Sequence, residues 1–179
     1  MMKKYTLLMF LLGLAFYASA QTESDYNQHE IKLNILNTIV QGSVEIGYEY
    51  FVDRDQSIGV EYLINDRFGY NGQGNGKEYN TNSILVSYNF YFLNDYDPAS
   101  LYVYPFFKYR FGDFTEPDEP FVTDMNSAML GIGVGYKWVQ RDKFAIAPYV
   151  NIARGFSQEV TDRFSAVEIN AGVSIGYRF

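Results

Sequence analysis

The sequence predicts an all-β protein, an eight-stranded antiparallel transmembrane β-barrel wound as an up-and-down meander behind a cleaved N-terminal signal peptide. Three observations predict it: two-residue alternation that recurs along the chain, connections that alternate in length, and aromatic residues gathered at strand ends. The composition agrees. Aromatics are 18% of the 179 residues, Tyr 17 and Phe 15 against one Trp, and with 15 Gly they favour strands and turns. The chain has no Cys, so neither thiol catalysis nor a disulfide is available.

The N-terminus sets the compartment. Lys3 and Lys4 form a basic start, an apolar stretch too short to span a bilayer follows, and Ala18-Ser19-Ala20 is a small-residue cleavage site. Residues 1–20 therefore read as a signal peptide, 21–29 as a short periplasmic segment and 30–179 as the barrel. Losing the two lysines takes the net charge from −7 to about −9. Such acidity excludes nucleic acid as a partner.

The strands follow in order. Run 31–40 alternates weakly, and Gln41-Gly42 reads as a tight hairpin into the second strand. There Val44, Ile46, Tyr48, Tyr50 and Val52 share one face, opposite Glu45, Gly47 and Glu49. Ile58, Val60, Tyr62 and Ile64 make the third strand, opposite Ser57, Gly59 and Glu61; Ile84, Val86, Tyr88, Phe90 and Phe92 make the fourth, opposite Ser83, Ser87 and Asn89. The fifth, 101–112, is weaker. In the sixth, Leu130, Ile132, Val134, Tyr136 and Trp138 oppose Gly131, Gly133, Gly135 and Lys137. The seventh, 144–155, is weak again, and the last sets Val167, Ile169, Val173, Ile175, Tyr177 and Phe179 against Glu168, Asn170, Gly172, Ser174, Gly176 and Arg178. No helical period is read anywhere in the mature chain. Pro105 and Pro148 fall inside strands, where a closed wall lacks the edge that tolerates a missing N–H, so a bulge or a lost ladder bond is expected at each.

Apart from the first hairpin, long loops fall at one end of the strands and short turns at the other, the asymmetry of a barrel with loops outside the cell and turns in the periplasm. The polar face is mostly Gly, Ser and Asn, and the apolar face carries almost no charge, which separates this barrel from a soluble one. Tyr50, Phe90, Phe92, Trp138, Phe144, Tyr177 and Phe179 at the turn end, with Phe68, Tyr79, Phe111 and Phe156 towards the loop end, make two headgroup-level girdles.

With these eight strands, the leader and a last strand ending "VSIGYRF", the chain resembles small OmpA/OmpX-type outer-membrane proteins, most closely the short Bacteroidota outer-membrane β-barrel proteins. The resemblance implies an integral outer-membrane protein, with both termini periplasmic and Tyr177 and Phe179 in the terminal signal read by the barrel-assembly machinery. It carries no pattern of functional residues.

Eight strands leave a bore just wide enough for its own side chains. Lys32, Glu45, Glu49, Glu61, Lys108, Arg110, Lys137, Glu168 and Arg178 point inward and are expected to pair, plugging the lumen, because an unpaired charge in a water-poor bore is costly. Gly131, Gly133 and Gly135 have neither the spacing nor the helix of a nucleotide motif, and leave room for Tyr102, Tyr104 and Phe106. "NGQGNGK" likewise lacks the first Gly of a phosphate loop.

No cofactor, metal or catalytic residue is identified. Barrel hydrolases and acyltransferases need a His near the outer surface, and the sole His, His29, lies at the periplasmic start of strand one. The expected role is structural or interactive, through extracellular loops; a narrow pore is the alternative, and a lipid-modifying enzyme the third reading. Loop 113–124, with Asp113, Phe114, Glu116, Asp118, Glu119, Phe121 and Asp124, stiffened by Pro117 and Pro120, is the expected contact for cations or a partner. Expected partners are outer-membrane lipids and lipopolysaccharide, the barrel-assembly machinery and an envelope or surface protein, with the barrel itself a monomer.

Overall fold

The computed structural model describes residues 26–40, 42–65, 78–92, 101–115 and 122–179. Along them run β1 (His29–Asn34), α1 (Ile35–Val40), β2 (Val44–Asp53), β3 (Gln56–Ile64), β4 (Glu78–Phe92), β5 (Leu101–Thr115), β6 (Thr123–Asp124), β7 (Ser127–Tyr136), β8 (Trp138–Gln140), β9 (Phe144–Gly155), α2 (Gln158–Arg163) and β10 (Val167–Arg178). Each strand pairs antiparallel with its neighbour, and β10 pairs with both β9 and β1, which closes the sheet. The two-residue β6 only extends the β5 hairpin, and β7 with β8 forms one stave against β9. Eight staves remain, so the fold is the eight-stranded barrel.

Alternation becomes inside and outside. In β2, Glu45, Gly47, Glu49 and Phe51 are turned into the bore while Ile46, Tyr48 and Val52 are exposed. The outer wall is a continuous apolar surface that includes Val60, Val86, Phe107, Ile132, Ile152 and Ile175. Such an exterior suits hydrocarbon rather than water. At the turn end Phe92, Trp138, Phe144 and Phe179 are exposed, as are Phe156 at the loop end and Tyr177 on the last stave. Phe68 lies outside the described residues.

Both prolines act through a lost ladder bond. Between β4 and β5 the registered pairs lapse from Ser87↔Phe106 to Phe90↔Val103, the span that holds Pro105, and resume with the same offset. Opposite Pro148 the β7 ladder stops at Gly135↔Tyr149 and continues as β8 from Trp138↔Ile146, again without a shift. A missing donor thus divides one stave into two strands without a bulge.

Three sequence expectations are corrected. The first strand does not reach Val40: it ends at Asn34, and α1 takes its place. Asn34 Oδ1 accepts from the Asn37 N–H (3.1 Å), and Thr38 Oγ1 donates to the Asn34 carbonyl (2.7 Å), the local bonds by which Asn and Thr compete with a ladder. Removing that first tight hairpin also removes the exception to the loop asymmetry. Second, loop 113–124 is in part a hairpin arm, with Asp113↔Asp124 and Phe114↔Thr123 in register. Third, the connection after β9 holds α2, whose Val160 is buried.

Candidate functional site

The bore is filled in tiers. At the turn end Lys137 Nζ donates to Glu30 Oε1 (3.0 Å) and Glu49 Oε2 (2.9 Å), and Arg178 Nε donates to Glu30 Oε2 (2.8 Å). All four side chains are at most 2% exposed. Glu49 is further held by the hydroxyls of Ser57 (2.5 Å) and Tyr91, and by Asn89 Nδ2 (3.2 Å). The Arg178 guanidinium lies 4.5 Å from the centre of the Phe51 ring and 3.6 Å, as an ion pair, from Asp142. Tyr26 packs against the apolar core that includes Phe51 and Tyr91, and Asn27 bonds to Asp142, so the segment before β1 covers the turn end. The two carboxylates and Lys137 meet most of their hydrogen-bonding capacity within this cluster, whereas Arg178 bonds through Nε, its Nη1 and Nη2 being buried without a hydrogen-bond partner among the described residues.

One tier up, Lys32 Nζ reaches Glu61 (2.6 Å) and Glu49 (3.6 Å). Tyr102, Tyr104 and Phe106 stand on β5 directly across from Gly135, Gly133 and Gly131 of β7. A Cβ at those glycines would lie 2.5, 2.1 and 2.3 Å from the facing ring carbons, so only Gly admits the rings there. Glu45 has no cationic partner among the described residues. It accepts instead from Asn34 (2.7 Å), Asn37 (2.8 Å) and Tyr149 (3.0 Å), and Asn37 reaches across to Asn170 (3.1 Å). This middle tier holds a cavity of about 30 Å3 lined by residues that include Lys32, Glu45, Glu61, Tyr102, Tyr104 and Tyr149, room for about one water.

At the loop end Lys108 and Arg110 share Glu168, and above them Phe114, Met125 and Val160 form a second buried apolar cluster against which Phe164 packs. Phe114 is 3% exposed and points into this cluster, so its expected role as a surface anchor is corrected. The parity of β5 explains it, since Phe114 continues the inward series from Tyr102 to Arg110. Asp113 and Asp124 are exposed, whereas Glu116, Asp118, Glu119 and Phe121 lie outside the described residues. Among the described residues no cluster of His, Cys, Asp and Glu could hold a metal ion.

Sequence reasoning missed Glu30, which joins Lys137 to Arg178. Starting the first strand at Ile31 left it out, although its parity with Lys32 places it inside. The hydrogen-bonding layer of Asn34, Asn37, Tyr91 and Tyr149 was also missed, because uncharged polar residues carry no pairing signal in a sequence. His29 stands on the outer surface at the β1–β10 seam, its Nδ1 2.5 Å from the Tyr48 hydroxyl and its ring stacked on Phe179 at 5.6 Å. Backbone bonds run both ways between His29 and Phe179 (3.2 and 2.9 Å), so the last residue is tied to the first stave.

A closed, eight-staved wall that is apolar outside and polar inside defines the class, an outer-membrane-type β-barrel. The solved structures to which the chain is similar belong to it. The N-terminal β-barrel domain of Pseudomonas aeruginosa OprF has a TM-score of 0.57 at 16% identity, over 86% of this chain and 98% of that one. Neisserial surface protein A (NspA) has a TM-score of 0.50 at 14% identity, over 84% and 92%. At these identities the likeness is one of fold. Neither a protein-family model nor a curated protein matches the chain.

Proposed function

We propose that the protein is an integral outer-membrane barrel with a plugged lumen, a monomer whose structural or interactive role is exercised at its loop end and which catalyses no reaction. One observation carries this reading: between the paired ions of the turn end and the aromatic tier of β5, the cavity in the middle of the bore has about 30 Å3 of free space among the described residues. A hydrated ion needs several waters abreast of it, and that volume holds about one. The leader, the loop asymmetry and the apolar wall support placement in the outer membrane with both termini in the periplasm. Tyr177 and Phe179, on the stave that closes the sheet, serve as the assembly signal. Likeness to the short Bacteroidota barrels rests on the sequence pattern alone.

With the wall in lipid and the bore filled, recognition falls to the loop end. Asp113 and Asp124, with Glu116, Asp118 and Glu119 between them, offer carboxylates to divalent cations at the lipopolysaccharide surface, and with Phe121 as an apolar anchor they offer a contact to an envelope or surface protein. Purified protein in planar bilayers should show no sustained conductance. Unitary currents that change with Glu49→Gln would overturn the plugged lumen in favour of a narrow pore. Replacing residues 116–121 by a Gly/Ser linker should preserve assembly while reducing crosslinking to partners and sensitivity to chelators; unchanged behaviour in both assays would remove that loop from the proposal.

A further inference from the structure

The loop-end charges are not balanced as those of the turn end are. Among the described residues Lys108 and Arg110 share a single carboxylate, Glu168, which leaves one cation in excess there. A guanidinium carries five N–H donors. Arg110 gives one from Nη2 to Glu168, and its Nε is buried with no acceptor among the described residues; Arg178 at the turn end likewise has two unpaired nitrogens, so the excess of charge, not the unpaired nitrogen, sets the loop end apart. Beside this group lies a cavity of about 190 Å3, lined among others by Arg110, Glu168, Met125, Met129, Val160 and Phe164.

Size, walls and floor each limit what fits. An apolar protein cavity of about 150 Å3 admits benzene, so this one suits a guest of about six to ten non-hydrogen atoms. Thioethers and a phenyl edge conform to flat or short hydrocarbon groups and make favourable sulfur–aromatic contacts. A floor on which two cations share one carboxylate favours an anion, and a carboxylate matches the guanidinium fork. The walls come from separate elements, Met129 from β7 and Val160 from α2, with Met125 in the short link between β6 and β7. The barrel and its loop-end cap thus build the site together.

We propose that this cavity binds a small apolar monocarboxylate of about the size of benzoate, its carboxylate against Arg110 and its hydrocarbon part among Met125, Met129, Val160 and Phe164. Apolar walls alone would take a neutral guest as well; the excess cation selects the acid. The site belongs to the loop end on which the proposed role depends, yet the two fail separately. Conductance would overturn the plugged lumen and say nothing of the cavity, whereas failure to bind leaves the bore untouched.

The chain supplies its own probes. Of its five methionines, Met125 and Met129 are the only two beyond residue 9, and both line the cavity. The full chain, labelled with methyl-13C methionine and held in phospholipid nanodiscs, is titrated with benzoate and with benzyl alcohol, and Met125→Leu and Met129→Leu assign the signals. Benzoate should shift both methyl resonances saturably, and benzyl alcohol should bind at least about tenfold more weakly, the discrimination expected of one charge-assisted hydrogen bond. Arg110→Gln should reduce benzoate to the affinity of the alcohol, and Val160→Trp, which fills the space, should abolish binding of both. Heat-dependent gel mobility checks that each variant still forms the barrel. Equal affinities of the unsubstituted protein for acid and alcohol, or no saturable shift with either, overturn the proposal whether or not the variants fold.

Discussion

The two ends of the bore solve the same problem differently. At the turn end, Glu30, Glu49, Lys137 and Arg178 are almost completely buried, and each ion bonds to more than one partner or lies over an aromatic ring. At the loop end, Lys108 and Arg110 share Glu168, one on each carboxylate oxygen, and Glu168 is 29% exposed beside a cavity of about 190 Å3. The contrast assigns stability to the first and adaptability to the second. Buried ions of balanced charge packed against one another lock a single arrangement, whereas an unbalanced, partly wetted group keeps capacity for a guest.

The largest effect that could break this comparison is at Lys137. Lys137→Met leaves Glu30 and Glu49 facing each other without their shared cation, and should cost about 3–5 kcal/mol in urea unfolding from lipid vesicles. If the loss is no greater than for a loop-end substitution, the turn end is not the stabilising half. Next comes the aromatic tier between the halves. Gly133→Ala would set a Cβ 2.1 Å from a Tyr104 ring carbon, an overpacking worth about 1–3 kcal/mol. Adding Tyr104→Ala should recover part of that loss, and strictly additive losses would refute the steric account.

At the loop end Glu168→Gln should cost about 1–3 kcal/mol, less than Lys137→Met, because Glu168 is 29% exposed and water reaches the cations it leaves behind more readily than at the turn end. A loss matching that of Lys137→Met would erase the difference between the ends. The smallest effect is expected outside the bore: His29→Ala removes a ring stacked at the seam, for about 0.5–1 kcal/mol. An unfolding midpoint unchanged by that substitution would mean that the backbone bonds to Phe179 hold the seam unaided.

Much of this architecture was legible in the sequence, because a barrel writes its two faces as a period of two. The inward parity of Glu49, Lys137 and Arg178 follows from counting along strands, and so does the clearance between Gly133 and Tyr104. What counting could not supply is which ion meets which. Lys137 and Glu30 are 107 residues apart, and their pairing depends on stagger around the closed sheet, which alternation does not encode. The end of β1 was misread for a different reason: Ile35, Leu36, Ile39 and Val40 are as apolar as strand residues. Asn34 ahead of apolar positions spaced by one and four was the available sign of a helical turn.

That turn leaves the ring with a joint unlike its others. A transmembrane strand needs about nine to eleven residues to cross, and β1 has six. Above Asn34↔Ser174 the wall continues not as β1 but as α1, with Ile39 and Val40 exposed on the outside and Asn37 buried on the inside. From Val167 to Val173, β10 therefore has a strand partner only in β9 among the described residues, and its other flank is closed by a helix that meets it through Asn37 and Asn170. A hoop under sideways tension parts where the fewest rungs cross its joint. In this one the parting line runs down one side of the circumference, from the loop end to Ser174, and stops at the short ladder in which β1 meets β10.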